Sequence, residues 1–439
     1  MSTDDDPCLP TSSKSWSISA TLQKVMRSNS RLVRRAASEE KYETRLVISN
    51  ESDNEKDMLI TYVDKLSWLM HFTCLWFSPT SPKWRIVLNL IVCALALGIS
   101  LYGVIVEMYT IYQNGIVADV TTSSTLCAII WTFQANISEI FMIYWQLTRR
   151  FFNYLTDIVI YQKGPYIRRG RKLLQRSIFR FHCINVFVVL LILLHLFAKN
   201  VLVKEHRLIY TFSPRWIRHL HTLSTWHLFL GWNFVIFVFN MFIDGTYLEL
   251  RSFNHMLSKM NGSDDEAIKQ DLLHALSKHT KVIRSIRELD KLFQVYAFTM
   301  IATMIPSILM TIITTANRLK QFDDVVAMGL PAFLVVLYGF LGLTISPARL
   351  YDEAHKSKTA LYLNSSIWLP YRPEVYHIAL ALSTHLEQPN MGVTIWGFAI
   401  LTKPLILATF SVMAMLLSLI LELSPGDLSH HVLNLSLPS

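Results

Sequence analysis

Charge is in short supply in this 439-residue sequence: Asp, Glu, Lys and Arg supply only 17% of it, and 52% is hydrophobic. An ordinary soluble domain carries about 25% charged residues. The charges present are crowded into a few segments between long uncharged stretches, which argues against a soluble globular chain. Cysteine is scarce as well. The five, at 8, 74, 93, 127 and 183, show no paired spacing of a zinc site or disulfide framework. All but Cys8 lie in or beside apolar segments, as small packing residues do. Also missing are a Gly-rich phosphate loop, an HExxH pair and a nucleophile elbow, so no motif points to an enzyme. No metal and no cofactor are expected. The net charge of +9 does not suggest a nucleic-acid partner, because no basic run interleaves with aromatics on a polar domain large enough to fold. Residues 1–55 lack the apolar core of a secretory signal. They are polar, Ser-rich and charged, and predict a disordered cytoplasmic tail whose basic patch, Arg31, Arg34 and Arg35, faces water or lipid headgroups.

What the sequence does have is apolar runs near the roughly 20 residues that cross a 30 Å hydrocarbon core as a helix. Seven qualify by length and lack of charge. They are Ile86 to Val106, Thr125 to Gln146 (interrupted by Glu139), Phe181 to Ala198, Thr222 to Ile243, Leu292 to Ala316, Val325 to Ser346, and Pro404 to Leu421. The fold class is therefore an all-α membrane protein with seven transmembrane helices. Spans one to six occupy 86–346. Met58 to Phe77 is apolar and aromatic but holds Asp64 and Lys65, so 58–77 is expected as an amphipathic helix in the interface, not an eighth crossing. Between spans four and five, 248–291 is polar with Leu272, Leu276, Val282 and Ile286 near helical spacing. Both spans should extend as helices beyond the bilayer, broken by the turn signal Asn261-Gly262-Ser263-Asp264.

Lys and Arg placement sets the orientation. The segments 149–180 and 251–291 are rich in both, whereas 113–124 and the tail after Leu421 have neither. The loop between spans three and four departs from the trend with Lys199, Lys204, Arg207, Arg215 and Arg218. The excess still falls on one alternating set, which the positive-inside rule assigns to the cytoplasm. The N-terminus is then cytoplasmic, 347–403 is a cytoplasmic linker, and 424–439 is an extracellular tail. That topology disfavours a conventional G-protein-coupled receptor, which has its N-terminus outside and a basic tail inside.

With this topology in hand, the stretch Gly397-Phe398-Ala399-Ile400-Leu401-Thr402-Lys403-Pro404 and the apolar run to Leu423 resembles the final segment of insect gustatory receptors and their nematode gustatory-receptor-like relatives. The family's Thr-Tyr and Gln-Phe positions fall on Met415-Leu416 and Glu422-Leu423, so only the apolar pattern is kept there. The resemblance implies a multi-pass plasma-membrane protein of sensory neurons, forming a homo- or heterotetrameric cation channel for monovalent and divalent ions. It would be gated by a small-molecule stimulus or by light, with helix 404–423 lining the pore. A transporter or a G-protein-linked chemoreceptor of the same topology is the alternative, although no internal repeat of the transporter kind is present.

Four residues are candidates for the pore. Glu422 would form a ring of carboxylates at the outer mouth, which concentrates cations. Leu417, Ile420 and Leu421 are candidates for an apolar constriction that gates by dewetting. For a stimulus pocket the candidates are Trp131, Glu139, Trp226, Trp232 and Met304. The indole rings would also be the chain's strongest ultraviolet absorbers. Glu139, deepest of the intramembrane acids, should face protein or water. His219, His221 and His227, at the start of span four, lack nearby carboxylate or thiolate support in sequence and are expected at the outer interface, not on a metal.

Overall fold

The computed structural model describes residues 73–77, 82–114, 120–154, 179–180, 182–194, 215–260, 264–317, 329–388 and 391–423. The expectations for the tails 1–55 and 424–439, and for most of 58–77, concern residues outside this set. The helices are α1 (Lys83–Asn114), α2 (Val120–Leu147), α3 (His182–Leu194), α4 (Arg215–Lys259), α5 (Asp265–Asn317) and α6 (Leu330–Tyr362). Then come the short α7 (Ser365–Trp368), α8 (Pro373–Leu386), a hairpin of β1 (Thr394–Ile395) and β2 (Ala399–Ile400), and α9 (Lys403–Leu423). Among the described residues, α1, α2, α4, α5, α6 and α9 are long and apolar enough to cross a membrane. At the place expected for the third span, α3 is a shorter apolar helix.

α4 and α5 have 45 and 53 residues. At 1.5 Å per residue they measure about 68 Å and 80 Å, more than twice the thickness of a hydrocarbon core of about 30 Å. Each therefore projects far out of any bilayer. The break between them falls at the Asn-Gly-Ser-Asp signal: α4 stops at Lys259 and α5 starts at Asp265. Asp265 and Glu266 in the first turn of α5 oppose the positive end of its dipole. The last carbonyls of α4 are satisfied from across the fold. Asn364 donates its side-chain amide to the Leu257 and Met260 carbonyls at 2.9 and 2.8 Å, while its Oδ1 caps α7 through Ser366 N.

The first part of the segment expected as a linker, 347–403, is helical. α6 runs through Pro347 to Tyr362. Its charges, which end the apolar run in the sequence, are paired: Arg349 with Asp244 at 3.5 Å, Lys356 with Glu353 at 3.0 Å, Lys358 with Glu387 at 2.5 Å. Residues 73–77, the described end of the expected interfacial helix, form a turn followed by irregular chain. Side chains of the helices hold that backbone. Gln146 donates to the Leu75 carbonyl at 2.7 Å and accepts from Phe77 N at 2.9 Å, and Asn89 donates to the Trp76 carbonyl at 3.0 Å.

α4 is the central helix. Of its most apolar stretch 94% is buried, against 6% for α9. It packs on α1, α2, α5 and α6. The core where α2, α4 and α5 meet is aromatic, with edge-on contacts from Trp145 to Phe293 (5.0 Å) and Tyr296 (5.4 Å) and from Phe239 to Phe293 (5.0 Å). Such pairs add about 1 kcal/mol beyond burial and fix side-chain orientation. Polar pins run through the α4–α6 contact: Ser346 donates to Asn240 Oδ1 at 2.6 Å, and Ser357 to Asn254 Oδ1 at 2.6 Å.

Candidate functional site

The root of α9 is fastened to one face of α5. Asp290 Oδ1 accepts from the Thr394 N–H at 2.6 Å and from its hydroxyl at 2.8 Å. One turn on, the Gln294 carbonyl accepts from Trp396 N at 3.2 Å, and a further turn on the Phe298 ring lies 5.0 Å from that of Trp396. Residues 290, 294 and 298 are spaced at i, i+4, i+8 and so share that face. The burial of Asp290 pushes its carboxyl above the usual range, against the pull of its two bonds to Thr394. The hairpin closes through Trp396 and Gly397 at φ 49° and 76°. The second of these is the left-handed conformation in which glycine has no Cβ penalty. Thr402 then caps α9 by accepting from Leu405 N at 3.4 Å, Pro404 occupies the first turn, where its missing N–H costs nothing, and Lys403 pairs with Asp352 of α6 at 2.6 Å.

Beyond this root α9 stands largely clear of the other described residues. Its inner face is marked by Met413, 5% exposed, and by Phe410, whose ring meets Phe340 at 5.2 Å. At 100° per residue Leu417 and Ile420 fall on the Met413 side, and both are half-buried. The opposite stripe carries Ser411, Met415, Ser418 and Glu422, all exposed. Of the four pore candidates, Glu422 is thus on the open stripe and Leu417 and Ile420 are not. The side chain of Leu421 lies outside the described set.

The stimulus-pocket candidates sit among the helices, not on the surface. Trp131 of α2 is buried, with its ring edge-on to Phe229 of α4 at 5.9 Å. Trp232 of α4 and Met304 of α5 are buried and converge on Gly339 of α6, where an added Cβ would overlap the Met304 methyl and the Trp232 ring. Trp226 is half-buried, and neither its indole N–H nor that of Trp232 has a hydrogen-bond partner among the described residues. Glu139 does not join this group. It lies eight residues from Trp131, about 12 Å along α2, and is gathered instead with Cys93 of α1 and His227 of α4. The sequence reading missed this trio because its members are more than 40 positions apart and only the packing of three helices unites them.

No protein-family model matches the chain, and no curated protein matches it in sequence. Its architecture does have counterparts among solved structures. The insect olfactory receptor OR5 from Machilis hrabei superposes on it with a TM-score of 0.64 at 13% identity, covering 83% of this chain and 98% of that one. The same receptor in complex with eugenol gives the same figures. The chain shares the fold of an insect olfactory receptor. The match spans nearly the whole of that receptor and most of this chain.

Proposed function

We propose that this chain is one subunit of a chemosensory receptor of the gustatory-receptor-like kind, a cation channel opened by a small molecule or by light. Seven crossings, with α3 as the third and the C-terminus outside, complete the proposed topology. The observation that carries the reading is α9: an apolar helix, only 6% buried over its membrane stretch, rooted firmly at one end. A helix so exposed within one protomer fits a role at a shared axis, where three further copies, or related subunits, would cover it. The fold likeness to an olfactory receptor supports the same reading.

In this assembly the stripe Ser411, Met415, Ser418 and Glu422 faces the lumen, and Glu422 supplies the carboxylate ring that draws cations to the mouth. Leu417 and Ile420, half-buried on the Met413 side, hold α9 against its own protomer in the closed state, and a turn of α9 would bring them with Leu421 to the lumen as the apolar constriction that gates by dewetting. Trp131, Trp226, Trp232 and Met304 surround the stimulus, with the unpaired indole N–H groups of Trp226 and Trp232 as donors for it.

Whole-cell recording from cells expressing the chain, challenged with tastants, peroxide and violet light, tests the proposal. A stimulus-evoked conductance reversing near zero, with divalent block altered in Glu422→Gln at unchanged surface expression, is expected. Substrate-coupled flux without conductance, or a response abolished by blocking G proteins, would contradict it.

A further inference from the structure

Cys93, Glu139 and His227 each offer one ligand atom, and these atoms all lie within 4.8 Å of one another. The three come from α1, α2 and α4. Cys93 and Glu139 are fully buried, while the His227 side chain keeps 16% exposure. We propose that they bind a zinc-type divalent cation, a site independent of whether the chain is a channel.

Three observations support the assignment. First, both Glu139 oxygens and His227 Nδ1 are buried with no well-formed hydrogen bond among the described residues, the Cys93 thiol being the donor beside the carboxylate. A buried carboxylate left bare in an apolar helix bundle is costly, and such groups are matched by a counter-charge. Second, His227 Nε2 lies 2.6 Å from the Thr73 carbonyl. A carbonyl only accepts, so Nε2 carries a proton, and in the neutral imidazole this leaves the Nδ1 lone pair toward Glu139. Histidines that ligate metals are oriented in this way, by a bond from the other nitrogen to a carbonyl. Third, Nδ1 and Glu139 Oε2 stand 3.7 Å apart. That is too long for a hydrogen bond, and near the roughly 3.4 Å between two ligands of one tetrahedral zinc at its usual bond lengths.

The donor set chooses the ion. Calcium and magnesium take oxygen ligands, whereas sulfur and imidazole nitrogen beside one carboxylate suit zinc. Charge balances too: thiolate and carboxylate each carry −1, and a divalent ion leaves the buried group neutral. On binding, the Cys93 thiol gives its proton to solvent and its 3.7 Å bond to the Cys74 carbonyl is released. Three protein ligands leave a fourth position for water. The ion would tie α1, α2 and α4 together beneath residues 73–77.

The full chain purified in detergent is titrated with cobalt(II), then zinc. One equivalent of cobalt should bind with a thiolate-to-metal charge-transfer absorption that zinc abolishes. Cys93→Ser should lose that band and bind zinc at least about tenfold more weakly, while Cys127→Ser keeps both. X-ray absorption at the zinc edge of the unaltered chain should show one sulfur at about 2.3 Å beside nitrogen and oxygen, a readout that needs no variant to fold. No thiolate band in the unaltered chain, a band that survives Cys93→Ser, or a zinc shell without sulfur would overturn the proposal.

Discussion

At the scale of single residues, long helices are joined by side chains that reach across to a neighbour's backbone. Asn254 is the clearest case. Its amide donates to both the carbonyl and a carboxylate oxygen of Glu353, at 2.8 and 3.0 Å, and its Oδ1 accepts from Ser357. Asn254→Ala leaves a buried hydroxyl and a carbonyl without this partner and should cost about 1–3 kcal/mol. Asn254→Asp should cost at least as much, since it keeps the acceptor but sets a second carboxylate beside Glu353. Thermal unfolding in detergent checks the order, and an unchanged midpoint for Asn254→Asp would contradict it. None of this was legible in the sequence. Asn254 and Glu353 are polar residues 99 positions apart, and nothing in their spacing announces a contact.

Elements were more legible than residues, for a physical reason. Hydropathy marks where a chain enters lipid, so the apolar centres of α1, α2, α4, α5 and α6 and the extent of α9 stand where the sequence places them. The same measure marks the end of the apolar stretch at Ser346 but not how far α6 runs on as a helix, because it cannot show that Arg349 and Glu353 are paired with Asp244 and Lys356 and Asp352 with Lys403. Beyond the apolar stretches, α5 and α8 meet at a histidine pair in a region too charged to lie in a membrane. His279 Nδ1 is 2.9 Å from His385 Nδ1, and the His279 ring stacks on Phe253. Burial, then the neighbouring His385, pushes His279 down to about 4. Burial, then the Arg287 guanidinium, also lowers His385. Both groups resist protonation in the folded chain, so the stability they contribute is whole above about pH 6.5 and is lost as pH falls toward 4. For His279 the loss is about 3 kcal/mol across that window. Melting temperatures of the unaltered chain should fall over it more steeply than those of His279→Asn. Equal slopes would contradict the pairing.

At the scale of the whole molecule, the described helices of the unit Asp64–Ser439 pack around α4, with α9 the least buried of the long ones. The aromatic centre of α2, α4 and α5 is closed within the protomer, whereas the outer stripe of α9 is uncovered among the described residues. Of the candidate site, the sequence made Glu422 legible through its position at the end of an apolar run. It could not tell which side of α9 faces inward, since the helix is apolar nearly all round. Only Met413 and Phe410, packed toward the body, set that rotation. In the proposed assembly the rotation of α9 decides which stripe meets the shared axis, and single cysteines distinguish the two faces. With currents recorded from cells expressing each variant, a positively charged thiol reagent should block most of the current through Ser411→Cys and Ser418→Cys channels and leave Met413→Cys and unaltered channels conducting. Block of Met413→Cys together with indifference of Ser418→Cys would contradict it.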